Sequence, residues 1–207
     1  VKLSSLSLVG VEQHNEMLGS PTAPVRMVSF DDIQCPFCEE WHRNVLPTLV
    51  KRYVRTGKLQ IQWRGFPVVG PDSVNGERFV LAAGLQDHLW DVLDGVFANQ
   101  GVENSGWLTP ALLEQIGSSI PGFNVPQAMA DAGSRIVSQE AHADSQLGTR
   151  RNLQGVPSFL LGRRGQALRL LTVNSLTPTE FTRPITRLLH RRGTTRRLRS
   201  QRVPAKT

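Results

Sequence analysis

Both cysteines of this 207-residue chain fall in one short motif, Cys35-Pro36-Phe37-Cys38. Two sulfurs spaced this way on the first turn of a helix can close a disulfide and reopen it by exchange with another thiol. The nucleophile in such exchange is the thiolate. The unpaired N–H groups and positive dipole end of a helix N-terminus stabilise it, lowering a cysteine pKa from about 8.5 toward roughly 3.5–7.5. Pro36 suits the position because the first helical residue forfeits no hydrogen bond. Cys35 is therefore expected to be the exposed attacking sulfur. Cys38, further into the helix, is expected to resolve the mixed disulfide.

Two other chemistries compete for these residues. His42 extends the motif to C-x2-C-x3-H, but a structural zinc takes four ligands and the other histidines are isolated, so no metal is expected. A pair of purely structural cysteines is the second alternative. His42 lies about one helical turn past Cys38 and reads as a surface histidine ahead of a modulator of the thiol pKa.

A second motif, Gly155-Val156-Pro157-Ser158-Phe159, stands just before an apolar run. X-Pro bonds are cis in only about 5–6% of folded cases, so a proline by itself settles nothing. Beside a C-x-x-C, a cis Pro157 would bar backbone pairing and leave the Val156 peptide group free to dock an extended substrate chain. The plainer reading is a loop proline ending the preceding helix.

These motifs need elements to hold them. Val25-Arg26-Met27-Val28-Ser29-Phe30 is apolar on nearly every residue, as in a central strand, and it runs into Asp31-Asp32-Ile33-Gln34 before Cys35. Phe37, Trp41, Val45, Leu46, Leu49, Tyr53 and Val54 recur at helical steps up to Gly57, with Pro47 expected to kink that helix. Leu59, Ile61 and Trp63 alternate with polar residues as a second strand. From about residue 74 to 153 no strand is convincing. Helical patterning covers Phe79 to Phe97, and Thr109-Pro110, Asn124-Val125-Pro126 and Ser134 read as helix starts. Strand character returns at Phe159-Leu160-Leu161, with a hairpin partner over Ala167 to Val173. Thr177-Pro178-Thr179-Glu180 opens a last helix toward His190, interrupted by Pro184. The order is β-α-β, a helical stretch, then β-β-α.

The net charge of +7 invites a nucleic-acid reading, but nine basic and no acidic residues follow from Arg183 onward, leaving the rest slightly acidic. No basic stripe interleaved with aromatics exists in that body, so no specific nucleic-acid site is expected. The basic segment 191–207 is expected to be a disordered tail, with weak contact to anionic membranes as its functional alternative. No apolar run approaches the roughly 18 residues that a spanning helix needs.

Leu18-Gly19-Ser20-Pro21-Thr22-Ala23-Pro24-Val25, Phe30-Asp31-Asp32-Ile33-Gln34-Cys35-Pro36-Phe37-Cys38 and Gly155-Val156-Pro157-Ser158-Phe159 together resemble the DsbA-like thiol-disulfide oxidoreductases of the thioredoxin superfamily, over about residues 10–190. The resemblance implies an α/β thioredoxin fold, a central mixed sheet flanked by helices, with an inserted helical domain. The divisions are then 1–21 as an N-terminal extension, 22–70 plus 154–190 as the discontinuous thioredoxin-like domain, 71–153 as the insertion and 191–207 as the tail. It implies Cys35 as nucleophile, Cys38 as its partner and Pro157 as the cis proline, with Val156, Pro157, Pro36 and Phe37 meeting substrate. Val156 before that proline is similar to the oxidant members.

By the same resemblance the chain oxidises cysteine pairs of exported, unfolded or reduced proteins. It needs no cofactor beyond the redox-active disulfide, and a membrane partner of the DsbB or VKOR type reoxidises it. The expected location is outside the cytoplasm, with a leader or anchor before Val1 as part of that expectation. A thioredoxin-like reductase and a non-catalytic peptide-binding module are the alternatives. Many relatives carry a glutamate six residues before the first cysteine, where this chain has Ser29. Proton handling at the buried sulfur is then left to water or to Asp32.

Overall fold

The computed structural model describes residues 1–2 and 6–190; the expectations for the basic tail lie outside the described residues. Among the described residues a six-stranded mixed sheet runs in the order β1-β2-β4-β3-β5-β6. Its centre is β3 (Val25–Asp31), buried along almost its whole length. It pairs in parallel with β4 (Leu59–Gly65) and antiparallel with β5 (Ser158–Arg163). That double pairing explains the unbroken apolar run, since both faces of a central strand are covered. Of the expected 167–173 strand, Arg169–Leu170 forms β6 against β5, and the Leu171 N–H donates to the Phe159 carbonyl at 2.8 Å. Gln13–His14 (β1) and Met17–Leu18 (β2) form a hairpin that continues the sheet beyond β4, so residues assigned to the N-terminal extension contribute strands.

The helix after Cys35 breaks where Pro47 predicts. Pro36–Asn44 (α1) gives way to a single turn at Leu46–Leu49 (α2), which carries Pro47 in its first turn, and then to a wide π-type segment at Val50–Val54. The insertion consists of α3 (Pro71–Gly84), α4 (Leu89–Ala98), α5 (Pro110–Ser118), α6 (Val125–Asp131) and α7 (Arg135–Arg150). One expected helix, Phe79 to Phe97, is in fact two, α3 and α4, divided at Asp87 with φ +60°. Thr109, Asn124 and Ser134 each cap as the sequence suggests, accepting from the backbone N–H of Leu112, Gln127 and Val137. The final helix is α8 (Pro178–His190), with Pro184 inside it.

Two layers of core sandwich the sheet. On one face Trp41, Trp63, Phe159 and Phe181 pack with Met27 and Cys38. On the other, Val28, Phe30 and Leu160 meet Phe66 and Leu147. There α7 comes close enough that Gly148 rests against the Phe66 ring, 2.7 Å from where a Cβ would sit. Arg64 of β4 pairs with Asp144 and Glu140 of α7 on that side.

His42 departs from its expected place. It is buried, 2% exposed, because it shares the Cys38 face of α1, and that face packs on α4. Its ring lies 4.2 Å from that of Phe97 and 4.9 Å from that of Trp41, and neither nitrogen has a hydrogen-bond partner. Burial pushes its pKa down to about 3. The unfolded chain then binds a proton below about pH 6.5 that the folded chain refuses until about pH 3, so this residue lowers stability progressively as pH falls through that window. His42→Leu is expected to stabilise the fold by about 1 kcal/mol at neutral pH and by more near pH 4. Urea unfolding of both proteins at the two pH values checks this.

Candidate active site

Strand β3 delivers its last residue, Asp31, to the edge of the site, and three loop residues lead to Cys35 at the N-cap of α1. The Cys35 carbonyl accepts from the N–H groups of Cys38 and Glu39 at 3.0 and 3.1 Å, starting the helix under the sulfur. Pro36 occupies the first turn, as its missing N–H allows. The two cysteines are not bonded to each other. Cys35 is not the exposed sulfur expected: the residue is 6% exposed, because the loops of the insertion and the Val156–Pro157 segment close around it. It is still the more accessible of the two, since Cys38 is completely buried.

The two thiols are held far apart in acidity. A hydrogen bond from the Cys38 thiol is the largest influence on Cys35. With the backbone N–H groups of Cys38 and Phe37 it outweighs burial and brings the pKa down to about 7. Burial pushes Cys38 well above its ordinary value, and the Asp31 carboxylate and Cys35 add to that rise. One sulfur is thus poised as a thiolate near neutral pH while its neighbour keeps its proton.

Across the site the Val156–Pro157 peptide bond is cis, as expected, and the Val156 carbonyl accepts from the Cys35 thiol at 3.7 Å. Val156, Pro157 and Phe37 line a groove of 390 Å³ together with Glu40, Val173 and Leu176. Phe37 is 61% exposed. Pro36, also expected to meet substrate, lies exposed on the adjoining helical turn and not in the groove lining.

Asp32 differs from its expected part in proton transfer. One of its oxygens accepts from the Gln34 N–H at 2.8 Å, and the other from the N–H groups of Val68 and Val69 at 2.7 and 2.8 Å. Its carboxylate is engaged in clamping the loop after β4 to the loop before Cys35. Asp31 is the carboxyl whose charge raises the Cys38 thiol, and burial pushes its own pKa up to about 7.

Several residues that sequence reasoning passed over hold the loop. Gln34 donates to Ser73 Oγ of α3 at 2.9 Å and accepts from the Asn104 N–H at 2.9 Å. Gln100, just after α4, donates to the carbonyls of Ile33 and Cys35 at 2.9 and 3.2 Å. Only Gln34, one residue from Cys35, carried a positional hint. The described residues contain no cluster of His, Cys, Asp or Glu able to hold a metal ion.

Comparison with known proteins places this geometry in context. A family profile described as Thioredoxin matches residues 12–176. The probable disulfide bond formation protein D of Bacillus cereus is 34% identical over 146 residues, covering 69% of this chain and 68% of that protein. Its counterpart in Bacillus anthracis is 33% identical over 150 residues, covering 69% and 67%. The crystal structure of oxidised BdbD from Bacillus subtilis shares the fold with a TM-score of 0.74 at 21% identity, over 90% of this chain and 97% of that one.

Two outcomes test the site as described. Alkylation of the reduced protein by iodoacetamide should modify Cys35 with a rate that rises up to about pH 7 and levels off above it, leaving Cys38 unmodified, as mass spectrometry would show. Asp32→Ala strands three backbone N–H groups and is expected to cost about 3 kcal/mol in denaturant unfolding.

Proposed function

We propose that this chain, which belongs to the DsbA-like thioredoxin-fold family of disulfide bond formation proteins and is a thiol-disulfide oxidoreductase, oxidises cysteine pairs of exported proteins through a Cys35–Cys38 disulfide. The observation that carries the reading is the asymmetry of the two sulfurs, one at about 7 at a helix start and one fully buried with its proton held. A substrate thiolate attacks Cys35 and displaces Cys38. The second substrate thiolate then attacks the substrate sulfur of the mixed disulfide, and Cys35 leaves as a stabilised thiolate. Val156, Pro157 and Phe37 receive the substrate segment in the groove, with Pro36 beside them.

The direction of electron flow is supported by the names of the Bacillus relatives, which are disulfide bond formation proteins. With that direction go protein substrates, a location outside the cytoplasm and a membrane reoxidation partner of the DsbB or VKOR type. Among the described residues no helix is long and apolar enough to cross a membrane. The size of the Cys35 shift favours a second reading, a reductase of protein or small-molecule disulfides. A thiolate near 7 is less stabilised than in the strongest oxidants, and less stabilisation of the reduced form means a weaker oxidant.

Equilibration with glutathione buffers separates the two. A potential of about −120 to −180 mV supports disulfide donation, and one near about −270 mV overturns it in favour of reduction. Cys38→Ser should accumulate mixed disulfides on Cys35, visible on non-reducing gels, whereas Cys35→Ser should abolish exchange.

A further inference from the structure

The groove beside Cys35 is walled by apolar groups, Phe37 of α1 on one side and Val156, Pro157, Val173 and Leu176 on the other, and its lining holds one charged side chain, Glu40. Glu40 follows Phe37 by three residues on α1, so the two share a face of the helix and Glu40 lies one turn further from Cys35. Its neighbour Glu39 is tied to Arg43 at 2.9 Å, whereas the half-buried Glu40 carboxylate enters no ion pair among the described residues. No lysine, arginine or histidine lines the groove. The wall formed by segment 173–176 is itself held by an acid, since the Glu180 carboxylate accepts from the Asn174 N–H at 3.1 Å. His42, on the inward face of α1, stays uncharged through burial.

We propose that Glu40 selects substrates by charge: among dithiol segments docking in this groove, those carrying an arginine or lysine close to the reacting cysteine are preferred over those carrying an acid there. The inference rests on the exchange reading above and names the substrate class of that same site. One helical turn, about 5.4 Å, corresponds to roughly two residues of an extended segment at about 3.3 Å each. The residue that meets Glu40 therefore lies within about three positions of the cysteine bonded to Cys35.

Both halves of the selection follow from the surroundings of the carboxylate. Apolar walls leave it less water than an open surface, so the charge of an incoming residue is weakly screened. An arginine or lysine can lay its apolar stem along Phe37 and Leu176 while its charged head reaches Glu40. Arginine can engage both carboxylate oxygens at once. An aspartate or glutamate on the substrate gives up hydration, meets like charge and finds no cation in the lining to replace the lost water.

Single-turnover oxidation of dithiol peptides by the oxidised full chain tests the assignment. The peptides differ only in bearing Arg, Gln or Glu at each of the three positions on either side of the first cysteine. Each turnover passes two electrons and two protons from the peptide dithiol to the Cys35–Cys38 disulfide, closing one S–S bond and opening the other. A neighbouring arginine also acidifies the peptide cysteine itself, so the same peptides are oxidised by uncharged hydroxyethyl disulfide to measure that part. At the most responsive position, the Arg-over-Glu rate ratio with the wild-type chain should exceed the hydroxyethyl disulfide ratio by about fivefold. Glu40→Gln should bring the two ratios together, Glu40→Lys should reverse the preference, and salt near about 0.5 M should shrink it in the wild type.

A wild-type ratio equal to that of hydroxyethyl disulfide at every position overturns the proposal, and this arm needs no variant to fold. An excess that persists in Glu40→Gln overturns it as well, because the selection then has another source. A wild-type chain that oxidises none of the peptides and reduces none of their disulfides overturns the exchange reading itself. If the pair reduces in place of oxidising, only the direction falls, and the same ratios read on the peptide disulfides decide the role of Glu40.

Discussion

Exchange at the Cys35–Cys38 pair requires one sulfur to carry charge and the other to keep its proton. That requirement shapes what surrounds the pair. Cys35 must sit where N–H groups converge, hence the strand that stops at Asp31 and the helix that starts at Pro36. Cys38 must sit where charge is disfavoured, hence its place in the same apolar layer as Trp41, Trp63 and Phe159. The fully paired β3 gives this arrangement a rigid base, because its backbone is bonded on both sides along the register from Val25 to Phe30.

The insertion is more than a cover. Through Gln34, Ser73, Asn104 and Gln100 it reaches the loop before Cys35 and fixes the carbonyls of Ile33 and Cys35. Asp32 performs the same service for the loop after β4. The residues flanking the motif therefore support position, while those on the strand beneath it face the chemistry.

What the sequence discloses follows from how local each signal is. The C-x-x-C at a strand–helix junction, the break at Pro47 and the caps at Thr109, Asn124 and Ser134 all depend on a few neighbouring residues, and each appears where patterning puts it. His42 is misplaced by the same reasoning because its environment comes from α4, a separate helix that happens to bring Trp90 and Phe97 against α1. Asp31 and Asp32 look alike in the sequence. Only the alternation of a strand that ends between them, together with N–H groups from Val68 and Val69, turns one toward the sulfur and the other into a clamp. Gln100 and Asn104 carry no local mark at all, since their partners are 35 to 70 residues away.

The position of β5 has a consequence for how the chain reaches this state. The central strand is completed by a partner that follows the whole insertion, and the cis Val156–Pro157 segment that closes over Cys35 comes with it. Contacts so distant along the chain carry a large loop-closure cost and form slowly relative to local helices. As the chain is synthesised, the cysteine motif precedes the strand and the segment that close over it. Until those arrive, the pair lacks part of the cover that buries Cys38, and the site is completed only with the last quarter of the polypeptide.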